Sequence, residues 1–145
     1  MTGSFEVGSV EETWALAARL AGELRPGAIV CLEGDLGAGK TTFTQGLASA
    51  MKVKGRVTSP TFCIVQEHYG ESDDELRLVH MDLYRLEGED DVLAVGWEDY
   101  LERGAVLVVE WPERAGTLIP SSARHVVFRH PEAGEDSDRR RITFA

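Results

Sequence analysis

The chain has 145 residues, of which 43% are apolar and 28% are charged, as expected for one ordinary globular domain. No run approaches the ~20 apolar residues that span a bilayer, and the first residues lack the basic start and apolar run of a signal peptide, so we expect a cytoplasmic protein with no membrane partner. The formal net charge of −10 argues against independent binding to nucleic acid, because that binding depends on neutralising phosphates.

The first part of the chain predicts two helices on either side of a buried strand. Residues 9 to 12 read as a capping box, with Ser9 and Glu12 able to satisfy N–H groups at a helix start. Pro26-Gly27 is expected to stop this helix. Residues 28 to 33 have the continuous apolar character of a strand buried on both faces. A glycine-rich turn follows this strand. The apolar positions at helical spacing are Val10, Trp14, Ala17, Ala21 and Leu24 in the first helix and Phe43, Leu47 and Met51 in the second.

The rest of the chain predicts further strands with short helical segments between them. The segments are a hairpin of strands at 62–69 and 76–82, a helix at 90–101, a strand at 105–110, a short irregular or helical piece between Pro112 and Pro120, and an antiparallel pair at 125–129 and 140–144. We therefore expect one α/β domain over residues 1–145, with a mixed sheet that is parallel at its centre and antiparallel at an edge, flanked by helices.

The turn after the first strand carries the most specific motif in the chain. Residues 34 to 41 match the phosphate-binding pattern G-x-x-x-x-G-K-[ST] at every fixed position, between a buried strand and a helix. Its glycines allow successive N–H groups to turn inward, Lys40 can reach the β- and γ-phosphates, and the Thr41 hydroxyl can ligate Mg²⁺. This predicts a P-loop NTPase domain. The expected nucleotide-binding residues are Asp35, Leu36, Gly37, Ala38, Gly39, Lys40, Thr41 and Thr42, although Thr42 has packing as an equal alternative.

Two acids that end strands are candidates for holding the metal and the attacking water. Glu110 follows four apolar residues, and Asp82 ends a less apolar strand. Such strands carry the metal-binding carboxylate in P-loop NTPases. Glu110 is expected to ligate Mg²⁺ directly or through water, and Asp82 to orient the water or complete the outer metal shell. Lys40, Asp82 and Glu110 are thus the expected catalytic residues, whereas His80 is interpreted as structural rather than as a base.

The chain lacks the motif by which G proteins read guanine. That motif is Asn-Lys-x-Asp, and the sequence contains no asparagine. We therefore favour ATP over GTP. Trp111 has three open interpretations, which are stacking on the base, stacking on a partner and a place in the core.

Four motifs in order resemble the TsaE family, the bacterial ATPases of tRNA threonylcarbamoyladenosine biosynthesis. They are residues 34–43, Ser59-Pro60-Thr61-Phe62, Asp82-Leu83-Tyr84-Arg85-Leu86 and Val109-Glu110-Trp111-Pro112-Glu113. The P-loop alone is widespread, but the combination is specific, and it covers roughly residues 9 to 120.

The resemblance implies a partner-dependent ATPase. TsaE proteins work with TsaB and TsaD, and their ATP cycle is thought to reset that pair, so tRNA is expected to be contacted only indirectly through the complex. Carried onto this chain, the resemblance makes Lys40 the phosphate-binding lysine, Thr41 and Glu110 the Mg²⁺ ligands, Asp82 a carboxylate needed for the ATPase cycle and Trp111 a functional tryptophan. Residues 59 to 62 match a switch-like loop beside the γ-phosphate.

Two other functions share the same loop. A small-molecule kinase would pass phosphate to a substrate, but the chain is short and has no evident arginine-rich lid. A non-catalytic assembly module would use bound ATP only to hold a partner-competent shape. We expect the ATPase switch, with hydrolysis that is slow alone and stimulated by partners.

Two further sets of residues have less specific interpretations. Cys31 and Cys63 have no metal-ligand spacing and lie in apolar stretches, so we expect buried thiols in a reduced protein. The acidic runs at 70–75 and 87–91 are expected to be solvated loops, with a docking face for a basic partner as the alternative.

Overall fold

In the computed structural model, which describes residues 1–34, 39–55, 65–72, 74–130 and 139–145, seven strands form one mixed sheet. The strands are β1 (Gly3–Val7), β2 (Ile29–Gly34), β3 (Val65–Tyr69), β4 (Leu76–Asp82), β5 (Val106–Glu110), β6 (Arg124–Arg129) and β7 (Arg140–Phe144), and their spatial order is β1-β7-β6-β2-β5-β4-β3.

The centre of the sheet is parallel. β2 pairs in parallel with β5 on one side and with β6 on the other, and β4 pairs in parallel with β5. The antiparallel pairs are β3 with β4, β6 with β7, and β1 with β7. The predicted mixed α/β sheet with a parallel centre is confirmed, and antiparallel pairing closes both edges rather than one.

Helices cover both faces of the sheet. They are α1 (Val10–Ala21), α2 (Lys40–Ala50), α3 (Glu89–Ala94), α4 (Trp97–Glu102) and a 3₁₀ helix at Pro112–Leu118. Side chains of β2 alternate between two cores: Val30 and Leu32 pack with residues of α1 and α2, whereas Cys31 packs with residues of α3 and α4. The prediction that this strand is buried on both faces is confirmed, since all three side chains are fully buried.

The capping box of α1 forms as predicted, but the buried face of the helix is rotated from the predicted one. The Glu12 N–H donates to Ser9 Oγ at 3.2 Å, and Glu12 Oε1 accepts from the Gly8 N–H at the same distance. Val10 and Trp14 are 45% and 43% exposed. The residues of α1 that are buried instead are Thr13, Leu16, Ala17 and Leu20. The helix ends at Ala21, before Leu24 and Pro26.

Two further expectations were incomplete. The predicted single helix over residues 90–101 is two helices, because Gly96 adopts a positive φ of 108° between them. The strand β1 was not predicted, since its five residues gain their partner only from β7 at the other end of the sequence. The other predicted strands are present among the described residues, and their described bounds match the predictions or differ from them by one position. Residues 62–64 of the strand predicted at 62–69 lie outside the described residues.

The acidic run at 87–91 does not form a simple solvated loop. Its residues Glu89, Asp90 and Asp91 occupy the first turn of α3, where negative charge is favoured by the helix dipole. The Asp91 carboxylate also accepts the Glu87 N–H at 2.9 Å, and Thr117 donates to Glu89. In the run at 70–75, every acidic residue that the structure describes is exposed, as predicted.

The described cysteine is buried, as the sequence predicts. Cys31 is fully buried, and burial raises the pKa of its thiol to about 12, as expected for a small apolar side chain. Cys63 lies outside the described residues. Within the described ranges, no helix combines the length and the apolar character that crossing a membrane requires.

Close packing of α1 on α2 at Gly46 gives a stability prediction. A Cβ at Gly46 would lie 2.8 Å from Ala17 Cβ and 3.1 Å from Trp14 Cα, so Gly46→Ala forces the two helices apart. Overpacking costs about 1–3 kcal/mol, which should exceed the ~1 kcal/mol gain in helix propensity. Urea unfolding should show a net loss of stability for Gly46→Ala and no loss for the control Ser49→Ala, on the exposed side of α2. Equal stability of the two variants would contradict this contact.

Candidate functional site

The carboxyl ends of three parallel strands meet at one edge of the sheet. Asp82 at the end of β4 and Leu32 near the end of β2 are both in register with Glu110 at the end of β5. Paired residues of neighbouring strands point to the same face, and Leu32 lies in the core shared with α1 and α2. The Asp82 and Glu110 side chains therefore leave the sheet on the side of α2.

The chain between β2 and α2 begins and ends with a glycine in a conformation that other residues rarely adopt. Gly34 has φ +144°, and a Cβ there would collide with the carbonyl oxygen of Phe128 on β6. Gly39 caps α2 with φ 102°, and nothing lies within 4 Å of the Cβ it lacks. The predicted ligands Asp35, Leu36, Gly37 and Ala38 lie outside the described residues, as do Ser59 to Phe62, so those predictions remain predictions.

The first turn of α2 faces this edge of the sheet. It consists of Lys40, Thr41 and Thr42, all partly exposed, and no acidic side chain lies in that turn. The first N–H groups of a helix have no acceptor within the helix and carry the positive end of its dipole. A helix start in this form is suited to an anion such as phosphate.

Lys40 and Glu110 lie side by side in a nearly enclosed position. Lys40 Nζ donates to the Gly34 carbonyl oxygen at 2.9 Å and lies 3.5 Å from Glu110 Oε1. The side chains are 12% and 10% exposed. Burial raises the pKa of Glu110, but the His80 hydrogen bond and the charges nearby, including Lys40, outweigh it and hold this pKa below 4.5. Glu110 is therefore ionised at neutral pH.

His80 is part of this site, which the sequence did not indicate. Its Nε2 lies 2.7 Å from Glu110 Oε2, and its side chain is fully buried. The available signal was its position two residues before Asp82, because residues i and i+2 of a strand share a face. The interpretation of His80 as a structural residue rather than as a base stays a prediction.

Asp82 is held at the strand end by a backbone hydrogen bond, and no cationic partner for it lies among the described residues. Its Oδ1 accepts the Tyr84 N–H at 3.0 Å, and the next residue, Leu83, donates its N–H to the Glu110 carbonyl oxygen at 3.1 Å. The side chain is partly exposed, and no ion pair to it is found in the described ranges. One carboxylate oxygen is thereby fixed while the group remains open to the site.

Trp111 lies at the mouth of the site and not in the core. It is 41% exposed, so the core interpretation was wrong, and its ring contacts the ring of Tyr84 with centroids 4.9 Å apart. Its backbone is in the left-handed region with φ 59°, which is unfavourable for a bulky residue and more so before a proline. A cavity of about 130 Å³ lies beside it, lined by Leu32, Glu33, Gly34, Lys40, Trp111, Pro112 and Glu113.

The donor set fits Mg²⁺ bound together with a nucleotide. Glu110, Asp82 and the Thr41 hydroxyl offer oxygen atoms, which Mg²⁺ prefers, and Mg²⁺ is usually held by one or two carboxylates together with substrate phosphates. Within the described ranges no group of three or more His, Cys, Asp or Glu side chains forms a metal cage. The space in front of Gly39 and the α2 start would receive the phosphates.

Sequence and structure comparisons find known proteins that are similar to this chain. The family model described as "Threonylcarbamoyl adenosine biosynthesis protein TsaE" matches residues 7–142. The tRNA threonylcarbamoyladenosine biosynthesis protein TsaE of Bacillus subtilis (strain 168) is 42% identical over 134 residues, covering 92% of this chain and 79% of that protein. The protein of the same name from Aquifex aeolicus is 43% identical over 108 residues, covering 73% and 74%. The crystal structure of Bacillus subtilis YdiB matches with a TM-score of 0.76 and 34% identity, covering 99% of this chain and 84% of that one.

The lowered pKa of Glu110 gives a pH prediction. A carboxylate with a lower pKa in the folded state stabilises the fold above its unfolded pKa, and this contribution is lost as the pH falls through the folded pKa. The difference in unfolding free energy between wild type and Glu110→Gln should therefore shrink as the pH falls below 4.5. Denaturant unfolding at several pH values measures it, with Glu98→Gln on the exposed side of α4 as the control for net charge. A difference that grows on acidification would contradict the assignment.

Proposed function

The chain belongs to the TsaE family of threonylcarbamoyl adenosine biosynthesis proteins, and we propose that it serves tRNA threonylcarbamoyladenosine biosynthesis as a Mg²⁺-dependent ATPase. The observation that carries this proposal is the meeting of Lys40, Glu110 and Asp82 at the carboxyl ends of β2, β5 and β4, in front of the α2 start. We propose that the whole chain acts as one P-loop NTPase domain in the cytoplasm.

Each residue of the site has a distinct chemical task in this proposal. Bound MgATP supplies the phosphoanhydride bond that is cleaved and a divalent charge that neutralises the departing phosphate. Lys40 and the first N–H groups of α2 bind the phosphate oxygens, and Thr41 and Glu110 hold the metal. Asp82, whose carboxylate is open to the site, orients the attacking water or completes the outer metal shell. Phosphoryl transfer requires mainly such positioning and charge neutralisation.

The proposed coupling between the ATP cycle and partner binding is taken from the family resemblance. We propose that the ATP cycle changes the affinity of this chain for TsaB- and TsaD-type proteins, with tRNA contacted only through that complex. Residues 59 to 62 are the proposed switch segment, since loops beside the γ-phosphate become ordered by it and are released on hydrolysis. Tyr84 and Trp111 form an exposed aromatic pair that lies two residues after Asp82 and one residue after Glu110. ATP is favoured because the guanine-reading motif is absent from the sequence.

Replacing Lys40 should weaken binding of MgATP. Lys40→Ala removes a charge-assisted contact to phosphate worth about 1.5–3 kcal/mol, so we expect the dissociation constant to rise roughly 10- to 100-fold. Titration with a fluorescent, non-hydrolysable ATP analogue measures this. The matched control is Lys52→Ala, which removes an exposed lysine at the far end of α2 and should leave the constant unchanged. Equal binding by wild type and Lys40→Ala would refute the phosphate site.

Replacing Asp82 should stop turnover while sparing binding. Asp82→Asn is expected to retain the MgATP dissociation constant and to lower the hydrolysis rate roughly 100-fold or more, as when a positioned acid–base group is lost. Phosphate release is measured with and without the TsaB- and TsaD-type proteins of the same organism, and wild type should be slow alone and faster with both. The control Asp99→Asn alters a carboxylate that is 71% exposed on the opposite face and should behave as wild type.

The same assay separates the other functions. If ATP is consumed only when a small-molecule acceptor is supplied, the protein is a kinase. If ATP binds tightly but is not hydrolysed in any mixture, the protein is an ATP-bound assembly module and Asp82 has no catalytic task. If Asp82→Asn keeps full partner-stimulated activity, the role proposed for Asp82 is wrong although the ATPase assignment stands.

A further inference from the structure

His80 is a buried polar side chain with apolar neighbours on β4 and β5 and with Gln66 as its register partner on β3. Its register partner on β5 is Val108, and the neighbouring side chains on the same face include Leu78 and Val106. The imidazole is fully buried. A polar ring in such a position requires a specific partner to offset its desolvation, and the partner here is Glu110 alone among the described residues.

The hydrogen bond between His80 and Glu110 has a fixed direction. An ionised carboxylate can only accept, so His80 Nε2 carries the hydrogen and donates it to Oε2 at 2.7 Å. The second ring nitrogen, Nδ1, is buried and has no hydrogen-bond partner in the described part of the chain. The ring is therefore held by its surroundings and by one bond, and that bond is to the carboxylate.

The two oxygens of Glu110 consequently have different surroundings. Oε2 accepts the hydrogen bond from His80, and Oε1 lies 3.5 Å from the Nζ of Lys40, the first residue of α2. A partial rotation of the carboxylate group would break the bond to His80, whereas a half-turn would exchange two equivalent oxygens and restore it, so one oxygen is held toward His80 and the other toward Lys40. The backbone of Glu110 is fixed as well, because its carbonyl oxygen accepts the Leu83 N–H. Only Oε1 is presented toward Lys40 and the start of α2.

We infer that His80 is a positioning residue that fixes the Glu110 carboxylate so that Oε1 faces the magnesium ion of the bound nucleotide. This inference rests on the function proposed above and deepens it. His80 does not touch the nucleotide or the metal; it acts through Glu110. A partner that orients a metal ligand typically changes metal affinity by about 10- to 100-fold when removed, so His80 should control how much Mg²⁺ strengthens nucleotide binding.

The test compares the affinity for a non-hydrolysable ATP analogue with Mg²⁺ and with EDTA. His80→Phe keeps a flat ring and removes the donor, so it should reduce the Mg²⁺-dependent gain in affinity by about 10-fold and leave the affinity in EDTA unchanged. His80→Gln can place an amide nitrogen near the position of Nε2 and should restore most of the gain. His80→Asn is too short to reach Glu110 and should not. If His80→Phe does not fold, the comparison of the Mg²⁺-dependent gain in affinity between His80→Gln and His80→Asn still tests whether His80 positions Glu110.

The control and the double variant separate positioning from general disruption of the core. His68→Phe makes the same change at a histidine that is 8% exposed on β3, beside β4, and that has no described hydrogen bond to Glu110; it should keep the full Mg²⁺ gain. In a Glu110→Gln background, His80→Phe should have no further effect, because two changes that act through one contact are not additive. An additive effect, or an equal loss in His68→Phe, would overturn the inference.

Failure of the inference can be told apart from failure of the proposed function. If wild type binds the analogue equally well with Mg²⁺ and with EDTA, both the metal site and the positioning role are wrong. If wild type shows the gain and His80→Phe retains it, the positioning role alone is wrong. The electron paramagnetic resonance spectrum of Mn²⁺ bound with the analogue gives a second readout, which should change in His80→Phe and Asn and match wild type in Gln.

Discussion

A buried carboxylate at the end of β5 constrains how the surrounding residues must be arranged. Removing the Glu110 charge from water is expensive, and the effective penalty for a buried ion amounts to several kcal/mol. The charge is tolerated because Lys40 lies on one side and His80 donates on the other. The fold must therefore position two side chains next to the Glu110 carboxylate: Lys40, at the start of α2, and His80, on β4. The turn between β2 and α2 and the pairing of β4 with β5 are therefore fixed relative to one another.

The parallel centre of the sheet brings these site residues close together. Because β2, β5 and β4 run in the same direction and are in register near their ends, their last residues emerge together, about 4.8 Å apart from strand to strand. The helix that follows β2 packs on the same face as Glu110 and Asp82, so its positive end faces their negative charges. The α3 and α4 layer packs on the other face of the sheet, where side chains such as Cys31 and Val109 form the second core.

The sequence predicted those features that depend on local pattern. The capping box at Ser9 and the apolar strand through Val30 need only neighbouring residues, and both are confirmed. Residues 35–38 of the predicted phosphate loop lie outside the described residues, so that part stays a prediction. The strand β1 was missed because its pairing partner lies more than 130 residues away. The buried face of α1 was misjudged because the contact with α2 that selects it is tertiary information: Ala17 is fully buried against Gly46, whereas Trp14 stays 43% exposed. The contact of His80 with Glu110 joins two strands and likewise cannot be read from either one.

The position of Trp111 connects the buried charges to the molecular surface. Its backbone is one peptide bond from Glu110, it adopts a left-handed conformation just before Pro112, and its ring lies against Tyr84, two residues after Asp82. Strained backbone of this kind persists only when its surroundings hold it in place. The two acids of the site are thus each one or two residues from the exposed aromatic pair. In the proposed function, a nucleotide that draws Lys40 from the Gly34 carbonyl acts on Glu110 directly, and the next residue along the chain, Trp111, is exposed. This gives the proposed nucleotide-driven switch a physical path that begins at an ion pair and ends at an exposed ring.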